Sequence, residues 1–327
     1  MTAVSAPTRS LASLSRAVAV AAVIAQGGIA VTGSVVRVTG SGLGCPTWPQ
    51  CFPGSLTPQR HPEVAALHQW VEFSNRLLTG VVGVISLACL VLALLVRPRR
   101  RRLVLLAATM PVGVVAQAVI GGITVLSGLA WWTVAFHFLV SMVLVWLAVL
   151  LVAAVGEGDA PPRWALPPAL RGLLGTATVV FAALMIAGTM VTSAGPHAGD
   201  LATPRLDIGI PALAQLHADL LVAFLGLLAG LGFAMRAVGV PARTWRRYLV
   251  LLIVVLAQGV LGAVQYATGI PEGLVSLHVL GAATVVVALA ALWTAARVRD
   301  GAQPPSSPSE VAGEASVSAS APAVAPG

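Results

Sequence analysis

Three of the six histidines, His137, His217 and His278, sit inside apolar runs rather than between them. A neutral imidazole is a ligand for iron or zinc, and in hydrocarbon it needs a partner. His217 and His278 each fall about five residues into such a run, counted from the same end, so at a helical rise of about 1.5 Å the two rings share one depth. Two facing imidazoles at one level of a helix bundle suit axial ligation of a metalloporphyrin iron, and interhelical hydrogen bonding is the alternative.

The surrounding residues recur. Gln117 opens QAVIGG twenty residues before His137, Gln258 opens QGVLGA twenty residues before His278, and VTGSG from Val38 resembles VTSAG from Val191. In this register Asn75 stands where the second copy has His217, so the first copy offers one histidine and an amide that binds iron poorly. A half built this way suits an iron with an open position, a substrate rather than a saturated electron carrier. His68, two helical turns before Asn75, is a weak substitute ligand and reads more readily as a solvated loop histidine. His61 and His197 fall in external loops, where His197 can cover a cofactor edge.

Glu72 lies three residues before Asn75 on one helix face, and its counterpart in the second copy is Ala214. It is the leading acid, base or electrostatic residue of the chain; an i,i+4 ion pair with Arg76 is the alternative, and the two are compatible. Arg37 and Arg76, at the outer ends of their helices, can meet carboxylates of a bound group or snorkel to the interface. Cys45 and Cys51 enclose PTWPQ on the oxidising side, which favours a disulfide over zinc, since zinc would need two more ligands from His61 or His68. Cys89 reads as a small apolar packing residue.

The elements that must hold these groups follow from composition. The chain is 57% hydrophobic and 9% charged with mean hydropathy +0.92, against about 25% charged in soluble domains, which excludes an ordinary water-soluble enzyme. The net charge of +8 has no soluble face to sit on, so nucleic acid is not a partner. Eight apolar segments are long enough to span a bilayer: 17–36, 71–96, 103–126, 131–155, 173–192, 212–235, 248–267 and 274–296. The first merges into a full-length span rather than a cleaved leader. The runs are continuous rather than alternating, which excludes a barrel. Every basic residue is Arg, and all but Arg37, Arg60, Arg76 and Arg205 fall in segments on one side, which orients both termini to the cytoplasm.

The expected architecture is an all-α integral membrane protein of eight helices, arranged as two parallel-repeat four-helix bundles. Residues 1–16 form a cytoplasmic N-terminus. Residues 17–155 form the substrate half, with an external loop at 37–70, and 156–172 form a cytoplasmic linker. Residues 173–296 form the cofactor half, and 297–327, rich in Ser, Pro and Ala, form a disordered tail.

GSGLGCPTWPQC from Gly40, WVEFSNRLLTG from Trp70, QAVIGGITVLSGL from Gln117, GPHAGD from Gly195 and QYATGIPEGLVSLHVLGA from Gln265 together resemble the haem A synthase family over about 17–297. The resemblance implies a plasma-membrane oxidoreductase of bacterial type. Such an enzyme converts the C8 methyl of haem O to a formyl group by successive hydroxylations, supplying haem A to terminal oxidases. It implies haem b as cofactor on His217 and His278, with His137 and Glu72 on the substrate side. The family pattern E-x-x-H is here Glu72-Phe-Ser-Asn75, a variant in which an amide replaces one ligand. Implied partners are haem O, a haem O synthase, a membrane or quinone-linked electron acceptor, and a second copy in a homo-oligomer. A cytochrome b-like quinone oxidoreductase is the rival reading, and it would favour haems at two depths.

Overall fold

An unpaired backbone polar group in hydrocarbon costs several kcal/mol, so a chain of this hydropathy must satisfy its main chain within each segment. The computed structural model describes residues 9–200 and 202–299. It resolves the problem with eight helices: α1 (Arg9–Val38), α2 (Ala66–Leu95), α3 (Arg101–Leu126), α4 (Trp131–Gly156), α5 (Pro168–Ala194), α6 (Ile210–Val238), α7 (Ala242–Ala267) and α8 (Glu272–Ala295). All eight are long and apolar enough to cross a membrane, and the protein is a multi-pass membrane protein. Each expected span falls on one helix, but α1 and α2 start well before residues 17 and 71. No Gly or Pro interrupts the chain ahead of either apolar run, so the helix continues through the interfacial region that hydropathy does not register.

The first four helices close a ring in which each packs on the next and α4 returns to α1. Small residues line it: Ala19, Ala22, Ala93, Ala107, Ala148 and Ala154 are buried together with Cys89, whose thiol faces the Val18 carbonyl at 3.7 Å. Lipid offers no hydrophobic gain for helix association, so close approach through small side chains is what holds such a ring. Helices α5 to α8 pack in succession, and α8 also lies against α1 and α4. Their core is bulkier, with Phe181 and Phe224 at 5.4 Å between centroids over Leu228, Leu251 and Leu289.

At the arginine-rich end, Arg102 pairs with Glu157 at 2.6 Å, and Arg163–Trp164 (β1) forms an antiparallel ribbon with Arg297–Val298 (β2). The linker 156–172 thus carries a strand and the start of α5. The tail expected to be disordered from 297 begins with a paired strand, and Arg299 donates to the Ala160 carbonyl. Apolar composition cannot reveal this ribbon, because its bonds are main-chain and all its residues but the half-buried Arg297 are exposed. Positions 300–327 lie outside the described residues, as do 1–8 of the expected N-terminal segment. At the opposite end the loops interlock: Gly42 N–H donates to the Gly199 carbonyl at 2.9 Å, and His197 Nε2 donates to the Ile270 carbonyl at 2.9 Å.

Candidate functional site

His217 on α6 and His278 on α8 face each other with ring centroids 6.4 Å apart and planes tilted by 57°. Each ring rests on a glycine of another helix. A Cβ at Gly188 of α5 would lie 2.9 Å from His217 Cε1, and one at Gly262 of α7 would lie 3.0 Å from His278 Cε1. His217 Nδ1 donates to the Leu184 carbonyl at 3.0 Å; since a carbonyl only accepts, Nδ1 carries the proton and Nε2 is a free electron pair. His278 Nδ1 is buried with no partner among the described residues, and its carbonyl accepts from the Gln258 amide at 2.8 Å. An imidazole–metal bond is about 2 Å long, so one ion fits between rings at this separation. No group of three or more His, Cys, Asp or Glu that could hold a metal occurs among the described residues. Two protein ligands alone suit an ion whose other positions are filled by a porphyrin.

The same local geometry recurs at α3 and α4. A Cβ at Gly121 would stand 3.3 Å from His137 Cε1, and Gln117 donates to the His137 carbonyl at 3.0 Å, as Gln258 does to His278. Asn75 takes the fourth position: a Cβ at Gly33 of α1 would lie 3.9 Å from its Nδ2, and its Oδ1 accepts from the Thr32 hydroxyl at 2.7 Å. Beside it a groove of about 360 Å³ runs between α1 and α2, lined by Thr32, Val35, Trp70, Ser74, Asn75 and Leu78 among others.

Glu72 is buried, 6% exposed, and its carboxylate is fully engaged. Oε1 accepts from Arg76 Nη2 at 2.6 Å and Nε at 3.1 Å, while Oε2 accepts the Cys45 N–H at 2.7 Å. Arg76 in turn donates to the carbonyls of Cys45, Thr47 and Gln50. Cys45 and Cys51 form a disulfide. The ion pair with Arg76 is therefore formed, and it anchors the bridged loop. That loop presses Trp48 onto α3, where the ring occupies the space a side chain at Gly122 would need, one residue from the glycine under His137.

His68 is not the solvated loop histidine expected: it is half-buried in the first turn of α2, where its Nδ1 bonds the Ser41 hydroxyl at 2.9 Å, whereas His61 stacks on Phe52 at 5.1 Å within the external loop. Arg37 enters an outer cavity with His68, His197 and Arg205. Sequence reasoning missed Trp48, Arg205, Gly33 and Gly188, whereas Gly121-Gly122 and Gly259 to Gly262 read in the sequence as places for close helix approach or a flat ligand. The paired glycines of QAVIGG were the visible signal for Gly121, and the prolines flanking Trp48 were a signal for a rigid, presented ring.

Residues 16–202 match the COX15-CtaA family, described as cytochrome oxidase assembly protein. The chain is 38% identical over 143 residues to the heme A synthase of Lysinibacillus sphaericus, covering 43% of this chain and 45% of that protein. It is 30% identical over 136 residues to the heme A synthase of Bacillus licheniformis, covering 41% and 43%. With the heme A synthase of Halalkalibacterium halodurans it shares 29% identity over 158 residues, covering 47% and 50%. The chain thus spans about half the length of the curated relatives it matches.

Proposed function

The chain belongs to the COX15-CtaA family of cytochrome oxidase assembly proteins, and on that premise we propose that it is a haem A synthase. It oxidises the C8 methyl of haem O to a formyl group by successive hydroxylations and supplies haem A to terminal oxidases. The observation that carries the reading is the pair His217 and His278, facing at 6.4 Å over Gly188 and Gly262 with the Nε2 of His217 free.

In this reading the eight helices form two parallel four-helix repeats with the arginine-rich ends cytoplasmic. The second half holds haem b between His217 and His278. Haem b, when bound, supplies one-electron redox capacity beside the substrate half. The residues do the rest. Leu184 fixes the His217 tautomer, and Gln117 and Gln258 tether the main chain beneath His137 and His278. His137 would hold the iron of haem O, and Asn75, held by Thr32, would add no second imidazole to it. Glu72 is a positioning residue that, with Arg76, holds the disulfide loop and Trp48 over this half. Haem O synthase as donor and a quinone-linked electron acceptor complete the proposal.

The test is expression of the chain with a haem O source in cells lacking their own activity, followed by chromatography of the extracted haems. A new haem carrying a formyl group is the expected result; unchanged haem O rejects the reading.

A further inference from the structure

A cavity of about 430 Å³ lies at the outer ends of the helices, where the first external loop meets the segment between α5 and α6. Two guanidinium groups enter it. Arg37, in the last turn of α1, passes beneath Gly199, where a Cβ would stand 3.5 Å from its Cγ. Its Nε is buried and has no partner among the described residues. Arg205, from the other half, donates one Nη to the Gly195 carbonyl. Neither makes an ion pair among the described residues, and both line this one cavity. Glu63, Asp200 and Glu272 also line the cavity, but none is in ion-pair contact with either arginine, and Asp200 Oδ1 accepts the Ala202 N–H at 2.8 Å.

Two like charges held together, one with a buried unsatisfied donor, are relieved at once by an anion between them, and the guanidinium fork matches a carboxylate. The position on α1 indicates which ligand brings that anion. Gly33, one turn inward from Arg37 on the same helix face, is the residue that lies against Asn75. Arg76, another outer arginine, is committed to Glu72 and to three loop carbonyls.

We propose that Arg37 and Arg205 form a carboxylate clamp for the propionate groups of the haem in the first half, one arginine coming from each half of the molecule. The clamp rests on the reading of the first half as a haem O site. It makes Arg205 a substrate-binding residue contributed by the half that holds the resident cofactor, so the substrate site is complete only when the loops of the two halves meet.

Purified protein carrying its resident haem is titrated with protohaem or with protohaem dimethyl ester, which keeps the macrocycle and lacks both charges. Binding is read from the Soret difference spectrum. Wild type is expected to bind the free acid more tightly than the ester, by about ten- to a hundredfold for charge-assisted hydrogen bonds of this kind. Arg205→Gln and Arg37→Gln are expected to bring the acid down to the ester's affinity and leave the ester unchanged. The resident haem spectrum reports that each variant is folded, and Arg37→Lys, which keeps the charge and loses the fork, should fall between. Equal affinity of wild type for acid and ester, or equal loss of both in the variants, overturns the clamp while leaving the haem O reading standing. Failure of both compounds to bind wild type overturns that reading and the clamp with it.

Discussion

At the scale of single residues, the site is defined as much by glycines as by histidines. Gly188 and Gly262 leave the space that His217 and His278 occupy, so a methyl group at 2.9 or 3.0 Å from the ring must displace it. Gly188→Ala and Gly262→Ala should each reduce the resident haem retained through purification, measured as haem per polypeptide, and Val at either position should remove it. Glu72 has two compatible readings, acid–base chemistry and an ion pair with Arg76, and the structure shows the ion pair. Its spacing to Asn75 pointed to chemistry, but the carboxylate bonds Arg76 and the Cys45 N–H. Glu72→Gln keeps the shape and removes the charge, at a cost of about 2 kcal/mol or more for a buried hydrogen-bonded pair losing one partner. Haem A yield should collapse, the low-spin signal of the second half should persist, and protease cleavage of the loop between 41 and 64 should accelerate. A collapse of yield with an unchanged cleavage rate would instead return Glu72 to a direct part in the reaction.

At the scale of elements, the spans were legible because a membrane helix must be both apolar and about 20 residues long, a demand few other structures meet. The histidines were legible for the same reason: an imidazole in such a run is costly, and its recurrence at one spacing is not accidental. The external loop was only half legible. Cys45 and Cys51 announced a bridge, but that Arg76 would gather the carbonyls of Cys45, Thr47 and Gln50 depends on a fold-back between a loop and a helix some thirty residues away. Local patterning carries no trace of that. The ribbon between Arg163–Trp164 and Arg297–Val298 was illegible for the same reason, its two strands lying on opposite sides of four helices in the chain. Cutting the Cys45–Cys51 bridge by Cys51→Ser should cost about 2 kcal/mol, the chain-entropy value for so short a loop. Thermal unfolding with and without reductant measures it. An unchanged midpoint would mean that the Glu72–Arg76 network alone holds the loop.

At the scale of the whole molecule, the two halves share the Gln-to-carbonyl tether and the ring-on-glycine contact, and differ at the one position where Asn75 answers His217. In our account that difference separates a saturated cofactor site from an open substrate site. Asn75→His should make the halves alike: haem added to the first half should shift toward a low-spin spectrum, and haem A yield should change, while an unaltered spectrum would place the added imidazole out of reach of the iron. The division of labour itself is tested most directly by haem content. In protein purified from cells without a haem O source, pyridine haemochrome analysis and the visible spectrum should find one low-spin haem b per chain in wild type and in His137→Ala, and none in His278→Ala. A low-spin haem that survives His278→Ala and disappears in His137→Ala would contradict the assignment of cofactor and substrate to the two halves.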